Sequence, residues 1–392
     1  MKLQKKIYKC GMIIFLLLNL ASCSDIKEIQ KMSYVTAIGV DFKDDEYVGY
    51  IQLISFQTEA KNGGGKPSVW VSETKGETFD EALSEVYNTA QQKLIWAHVN
   101  TILVSDAALK EGFHHIFDVL TRYYELRLTT WIFGTNDPIK EVFSTTSFFD
   151  QTALETIIHQ PIGTFEQNSS IRPLKLQQFA RELFEPALTT YLPSVSINKK
   201  DWVNNLEPDS KLEIDGAFFI KNKEFKGYYS LDELKGLRWV TPETERAGVQ
   251  IYDEKDIPDF NIVFEENDVK IEPVSDKSTR NTQFNVHLKI KGVMADRDEN
   301  NITNLNEMEG HVRDAINKEI NDLFELGVET GTDFLQLEHI LYRKKHKTWK
   351  NVASSSESDF LKEDLLKDVK LDITLLHTGA IKNRTIKIED ME

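Results

Sequence analysis

The sequence predicts a multi-domain fold of about three domains, α/β in its first half and α+β in its second, with mixed and antiparallel sheets. Strand-like and helix-like segments alternate along the first half, which is typical of a mixed sheet covered by helices. In the second half the strands come in antiparallel groups and the helices are segregated from them. The chain has 392 residues, of which 40% are hydrophobic and 28% charged, an ordinary globular composition.

The first 22 residues predict the leader peptide of a bacterial lipoprotein. Four lysines precede an apolar run at residues 11–21, which is shorter than the roughly 20 residues that span a bilayer. The run ends in Leu20-Ala21-Ser22-Cys23, which looks like a lipobox. Cleavage after Ser22 would leave Cys23 as the acylated first residue of an extracytoplasmic ectodomain. A secretory signal with an incidental cysteine is the alternative.

Charge and cysteine content exclude several classes of protein. The formal net charge is −16, from 47 Lys and Arg against 63 Asp and Glu, whereas a nucleic-acid-binding protein needs a basic face. Removing the leader makes the chain still more acidic, so acyl chains rather than attraction to anionic lipid would have to hold it at a membrane. The only cysteines are Cys10 and Cys23, so the body of the chain has neither a disulfide framework nor a cysteine-based zinc site.

The elements of the first half follow from hydrophobic spacing. Strands are predicted at 34–41, 47–57 and 68–74. A helix begins at Thr78, where Glu81 completes a capping box, and its apolar face contains Phe79, Ala82, Leu83, Val86, Tyr87, Ala90 and Leu94. A strand at 99–104, a helix capped by Asp106, a strand at 128–133 and helices near 149–159 and 174–185 follow.

The second half contains mostly hairpins. Strands at 212–220 and 224–230 flank a turn at 221–223, and two short strands at 261–264 and 269–271 pair across 266–268, before a longer strand at 284–293. A long helix begins near Thr303, with an apolar face of Leu305, Met308, Val312, Ile316, Ile320, Leu323 and Phe324. Another helix begins near Asp333, and a strand covers 370–377. The predicted ranges are a leader at 1–22, an N-terminal α/β domain at 23–190, an antiparallel middle region at 191–275 and a C-terminal α+β domain at 276–392.

The search for an active site finds no catalytic motif. The G-x-S-x-G and H-E-x-x-H patterns are absent, and no cysteine follows Cys23. The closest histidine cluster is His114-His115 with Asp118. His114 and Asp118 are spaced i,i+4 on one helix face and could ligate a metal, but a third ligand is not evident, which favours a solvated or capping role. The sequence therefore predicts no enzyme activity, cofactor or metal.

Basic residues offer two candidate interfaces. A cluster near the C-terminus consists of Arg343, Lys344, Lys345, Lys347 and Lys350, interleaved with Tyr342 and Trp349. It could contact lipid headgroups or an acidic partner, although cations at a helix C-terminus, where they complement the dipole, are the favoured interpretation. Arg122 and Arg127 flank a segment between a helix and a strand. Each is expected to pair with a carboxylate or cap the helix, and contact with a partner is the alternative.

Four groups of residues resemble one known family over nearly the whole chain. They are 23–29 with 38–41; His98, 103–105, 111–112, Arg122, 125–127 and Trp131; 215–219, 226–227 and 236–239; and 332–334, 343–344 and Trp349. On these residues the sequence resembles the Ger(x)C lipoproteins, the C subunits of nutrient germinant receptors in spore-forming bacteria. It departs from the family at Ser24, where Trp is frequent. This position lies in the polar segment 24–32, which is expected to tether the fold.

The resemblance implies a lipid-anchored subunit without an active site, on the extracytoplasmic face of the spore inner membrane. It also implies two integral membrane partners, the A and B subunits, and a role in the response to nutrients through complex assembly or signal coupling. A solute-binding lipoprotein of an ABC importer is the alternative, but it should show β-α alternation in both halves. A lipid-anchored hydrolase would need a nucleophile or a metal set, which the motif search does not find.

Overall fold

The computed structural model describes residues 32–54, 68–122, 125–149, 151–242, 244–252, 258–275, 282–297, 305–353 and 360–376. Within these ranges the strands form a ten-stranded mixed sheet, a four-stranded sheet and a two-stranded ribbon. The predicted combination of α/β and α+β architecture with mixed and antiparallel sheets is confirmed.

The ten-stranded sheet and its helices occupy the first 230 residues. In chain order the elements are β1 (Met32–Lys43), β2 (Glu46–Ile54), β3 (Val69–Gly76), α1 (Phe79–Ser84), β4 (Lys93–Ile95), β5 (Thr101–Ser105), α2 (Asp106–Arg122), β6 (Trp131–Thr135), α3 (Ile139–Ser144), α4 (Pro161–Gln167), β7 (Leu174–Lys175), α5 (Leu176–Phe184), β8 (Thr189–Asn198), β9 (Val203–Asn204), β10 (Glu207–Pro208), β11 (Lys211–Lys221) and β12 (Glu224–Ser230). The strand order is β12-β11-β8-β6-β5-β1-β2-β3, with β4 beside β1 and β7 beside β6, while β9 and β10 form the ribbon.

The centre of this sheet is parallel. β1 pairs with β5, β5 with β6, and β6 with β8, all in the same direction. The amino ends of these strands therefore share one edge, which we call the amino edge and define by Met32, Thr101, Trp131 and Thr189. Helices α1, α2 and α5 cover one face of the sheet, and α3 covers the other.

The second sheet lies in the rest of the chain. Its elements and the preceding helix are α6 (Leu237–Val240), β13 (Ala247–Tyr252), β14 (Pro258–Ser275), β15 (Thr282–Arg297), α7 (Leu305–Thr330), α8 (Leu337–Lys344), α9 (His346–Ala353) and β16 (Leu366–Leu376). β13, β14 and β15 are antiparallel, and α7 packs against β13 and β16. The predicted apolar face of α7 is confirmed from Met308 onward. One core joins this sheet to Phe219 and Tyr229 of the β11–β12 hairpin.

Several element predictions are wrong, each for an identifiable reason. The first helix ends at Ser84 and continues only as a 3₁₀ turn, Glu85–Asn88. Leu94 fits the helical spacing because β4 buries it in the same core. The helix at 149–159 is replaced by a 3₁₀ turn, Ala153–Glu155, and Phe149 is 93% exposed. The side chain of Ser105, rather than that of Asp106, accepts a hydrogen bond from the first turn of α2.

The predicted hairpin at 261–271 is instead one continuous strand, β14. Its polar stretch looked like a turn, but the Asn267 side chain donates hydrogen bonds to the carbonyls of Arg238 and Trp239, at 3.0 and 3.2 Å. The four-stranded sheet also contains one parallel pair, β15 with β16, beside its antiparallel strands. The turn at 221–223 is confirmed, with Asn222 and Lys223 at positive φ.

The predicted middle region, 191–275, has strands in both large sheets. β8, β11 and β12 belong to the ten-stranded sheet, whereas β13 and β14 belong to the four-stranded one. The three domain ranges drawn from the sequence stay a prediction.

Candidate functional site

Arg122 and Arg127 lie near the amino edge, where α2 ends and the chain turns into β6. Arg122 pairs with Asp118 one turn earlier, 2.7 Å from its carboxylate, and both side chains are exposed. Arg127 is exposed as well. Among the described residues its guanidinium has no ion-pair partner, and only its carbonyl oxygen accepts hydrogen bonds, both from Thr130. The carboxylate pairing expected of both arginines therefore holds for Arg122 and not for Arg127.

We expect Arg127→Ala to change stability little, by less than about 0.5 kcal/mol, because it removes an exposed charge and no described contact. Thermal unfolding of Arg127→Ala measures this. Arg122→Ala is the comparison, because it loses an exposed ion pair within a helix whose contribution to the free energy of unfolding is similarly small. A large drop in the melting temperature of Arg127→Ala alone would contradict the geometry.

The C-terminal basic cluster lies on α8 and α9, and we call it the basic face. Arg343 lies 3.6 Å from the Glu185 carboxylate, and Lys344 donates a 2.9 Å hydrogen bond to the Ile271 carbonyl. Both residues occupy the last turn of α8, where cations complement the helix dipole. These contacts attach α8 to the end of α5 and to β14.

Aromatic rings stack along the same surface. Trp349 packs edge-on against Tyr342, with centroids 4.9 Å apart, and lies 5.4 Å from the ring of His346. The Trp349 indole donates to the Glu338 carboxylate at 3.1 Å, and this carboxylate also pairs with Lys221 of β11 at 2.5 Å. The basic face is therefore connected to both sheets.

A cavity of about 400 Å³ lies between the two sheets, and no motif in the sequence indicated it. Its apolar lining includes Leu174, Leu188, Phe219, Leu237, Phe334 and Ile340. The Gln336 side chain closes one side, since its amide accepts from the Thr189 backbone N–H at 3.1 Å and donates to the carbonyl of the same residue. Residues far apart in sequence meet here because strands of both sheets line the cavity.

The polar groups of this cavity are mostly engaged with the protein itself. Burial raises the pKa of the Glu182 carboxyl, which accepts a 2.8 Å hydrogen bond from the Thr190 hydroxyl. Burial also raises the pKa of Tyr191, whose hydroxyl donates to the Arg172 carbonyl at 3.2 Å. The arrangement suits the binding of a small molecule more than the activation of a nucleophile.

A second polar cluster is buried within the ten-stranded sheet. His159 Nε2 lies 2.9 Å from Gln52 Oε1, and Nδ1 lies 3.1 Å from the Thr101 hydroxyl and beside Asn100 Oδ1. Burial lowers the pKa of His159 to about 3. The ring is therefore neutral at physiological pH and links β1, β2 and β5.

We expect this histidine to make folding less favourable in mild acid. The unfolded chain takes up a proton near pH 6.5 that the folded chain refuses until about pH 3, so stability falls through that window, by about 2 kcal/mol at pH 5. The pH profile of the melting temperature should be flatter in His159→Gln than in the parent chain. Replacing the exposed His311 in the same way serves as control, and equal profiles for both variants would contradict the prediction.

The predicted lipidation site lies outside the described residues, as do Ser22 and the rest of the leader. In the part of the chain that is described, no helix is long and apolar enough to cross a membrane. Within the same ranges no three His, Cys, Asp or Glu side chains come together as metal ligands. Of the predicted cluster, Asp118 is bound by Arg122, and the rings of His114 and His115 stack on each other.

Comparison with known proteins identifies the family. Residues 25–197 match the spore germination protein N-terminal domain, and residues 214–379 match the C-terminal domain described as spore germination B3/GerAC-like. The chain belongs to the Ger(x)C family of spore germination proteins. The resemblance seen in the sequence is thereby confirmed.

Relatives of this Ger(x)C chain occur in Bacillus subtilis (strain 168). Spore germination protein KC is 23% identical over 97% of this chain and 98% of its own length, and spore germination protein B3 is 23% identical over 93% and 96%. The match to YfkR, also named for spore germination, is 26% identical and spans 58% of that protein. The crystal structure of the GerBC protein covers 90% of this chain, with 18% identity and a TM-score of 0.49.

One of the Ger(x)C-like motifs has a clear structural task. In the stretch 236–239, Gly236 lies so close to α7 that a Cβ atom there would come within 2.2 Å of the Glu319 carbonyl oxygen. The Arg238 guanidinium donates to both Glu319 carboxylate oxygens, at 2.8 and 2.9 Å, and the Trp239 indole donates to one of them at 2.6 Å. The motif therefore attaches α6 to the long helix, and no pattern in the sequence indicated Glu319 as its partner.

Proposed function

We propose that this protein is the lipid-anchored C subunit of a spore nutrient germinant receptor, required for germination in response to nutrients. The observation that carries the proposal is the order of features along the chain: a lipobox ending at Cys23, then the N-terminal and C-terminal spore germination domains from residue 25 onward. In this proposal, a protein whose lipobox precedes these two domains is exported, and its acyl chains hold it at the extracytoplasmic face of the spore inner membrane.

The subunit works by assembly or signal coupling with two integral membrane subunits, of A and B type, and not by catalysis. The partners come from the family resemblance. The fold supports a scaffold role, because Phe219 and Tyr229 of the β11–β12 hairpin pack edge-on against Phe334, 4.8 and 4.9 Å away, and so connect the two sheets. Signal coupling in this proposal runs through this contact, since packed side chains are one route by which a change at one site reaches another.

The solute-binding alternative retains one observation in its favour. The cavity between the sheets lies where the cleft of a two-lobed binding protein would lie, and it has both apolar and polar lining. Against this reading, the four-stranded sheet contains one helical crossover, between β15 and β16, and otherwise antiparallel strands.

Calorimetry and a gene deletion together distinguish the two functions. We expect the purified mature chain to show no heat of binding with amino acids or sugars at millimolar concentration, while spores lacking the gene stop responding to the nutrient that the receptor serves. Saturable micromolar binding of one nutrient to the isolated chain would favour the solute-binding function. Normal germination of the deletion strain would contradict the receptor role.

A further inference from the structure

Positive charge is concentrated in one stretch of an otherwise acidic protein. Residues 339–356 contain five Lys and Arg and no Asp or Glu, in a chain whose formal net charge is −16. The described part of this stretch forms most of α8 and all of α9. The basic face is thus a local reversal of the protein's overall charge.

Four of the five cations on the basic face are exposed, and Lys345 is half-buried. No residue of α9 is buried, and Lys347 and Lys350 are exposed. Two-thirds of the Arg343 side chain is also exposed, at 66%. Trp349 and Tyr342 lie partly buried between the cations, and lysines interleaved with amphipathic rings are typical of helices that lie at a lipid surface.

The basic face also lies at the amino edge of the ten-stranded sheet. Gln336, which precedes α8, bonds to Thr189 at the start of β8, and Arg343 pairs with Glu185 just before it. β1 begins at this edge too, three strands away, which is roughly 14 Å at the usual strand spacing. Cys23 precedes Met32 by nine positions, a reach of at most about 30 Å. The start of the described fold and the basic face therefore lie at the same edge of the sheet, and Cys23 is within about 30 Å of chain from that edge.

We propose that the basic face binds an anionic lipid surface and orients the anchored protein with its amino edge toward the membrane. The inference rests on the lipid anchor of the proposed function. Salt at physiological concentration screens exposed charges beyond about 8 Å. The cations that touch the headgroups are therefore attracted to them, while the repulsion from acidic residues farther away is screened. The face orients the protein, and the acyl chains retain it.

An anionic bilayer fits this surface better than an acidic protein segment does. Lys347 and Lys350 lie on a two-turn helix with no buried residue, and the aromatic rings between the cations suit the headgroup layer. The shared edge with the tether adds an argument that applies only to the membrane.

The test couples the mature chain to vesicles through Cys23, its only cysteine, by a maleimide lipid. Vesicles contain brominated phosphatidylcholine with or without phosphatidylglycerol, because bromine quenches tryptophan emission at short range. The contribution of Trp349 is the difference between the parent chain and Trp349→Phe. This chemical anchor works whether or not cells acylate Cys23, so failure of the proposed function would not affect the result.

We expect quenching of Trp349 several-fold stronger with phosphatidylglycerol than without it, and lost in high salt. The double variant Lys347→Glu with Lys350→Glu should lose this excess. Its matched control, Lys199→Glu with Lys200→Glu, reverses two exposed lysines that follow β8 at the opposite edge, and should keep it. Equal quenching with and without phosphatidylglycerol, or equal loss in both double variants, would overturn the proposal. If Trp349 is quenched on neither kind of vesicle, the proposal is also overturned, and a protein partner becomes the favoured occupant of the basic face.

Discussion

Replacing Cys23 with Ala is expected to move the protein almost entirely from the membrane fraction to the soluble fraction. Each acyl CH₂ buried in a bilayer contributes about 0.8 kcal/mol, so under the proposed lipid anchor the loss of the chains removes the dominant attraction. An ectodomain with this surplus of acid has no comparable attraction to replace it, and the basic face is too weak to retain the protein alone. The described fold begins at Met32, so the substitution removes no described contact.

Fractionation in high salt measures this effect, because salt also removes the contribution of the basic face. Cys10→Ala is the matched control. It replaces the chain's other cysteine, which lies in the predicted leader, and should leave retention of the protein at the membrane unchanged. Sedimentation of Cys23→Ala with membranes that lack the partner subunits would show that another anchor exists.

Glu319→Ala is expected to cause the largest loss of folding stability of the changes discussed, about 2–4 kcal/mol. The Glu319 and Arg238 side chains are each only 18% exposed, and Trp239 is fully buried. Removing the carboxylate leaves a largely buried guanidinium and an indole N–H without their acceptor. The junction between α6 and α7 loses all three of these hydrogen bonds at once.

Thermal unfolding of three variants tests this expectation. Glu319→Gln keeps an acceptor for the Trp239 indole and should fall between the parent chain and Glu319→Ala. Lys318→Ala alters the neighbouring position but loses only an exposed pair with Asp322, worth less than about 1 kcal/mol. If Glu319→Ala and Lys318→Ala have the same melting temperature, the junction between α6 and α7 contributes little to stability.

Local patterns in the sequence predicted the regular elements well. The helical spacing from Met308 to Leu323 identifies α7, because a buried stripe repeats every three or four residues. The predicted hairpin at 261–271 was wrong, because the polar residue Asn267, which suggested a turn, lies inside the continuous strand β14. Its partners are backbone carbonyls about 28 residues away, and no local pattern records them.

The candidate site depended far more on long-range packing. The cavity and the attachment of the basic face both require Gln336 to meet Thr189, 147 positions earlier. Single-sequence patterns carry no information at that separation, so the basic cluster could be seen but not placed. The pair of Arg122 with Asp118 is different, because it joins two residues four positions apart on one helix and local spacing can suggest it.

The pairing of β8 with β11 restricts how chimeric receptors could be built from related chains. The hairpin β11–β12 lies in the segment matched by the C-terminal domain, yet it completes the sheet of the N-terminal one, where Phe218 packs directly on Gly134 of β6. A crossover at 198–213, between the matched domains, would join a β8 from one parent to a β11 from another. With a crossover at 231–236, after the hairpin, the whole ten-stranded sheet comes from one parent. The mismatch between parents then falls where the hairpin packs against the four-stranded sheet. Chimeras of related chains should therefore fold more often when they are joined at the later point.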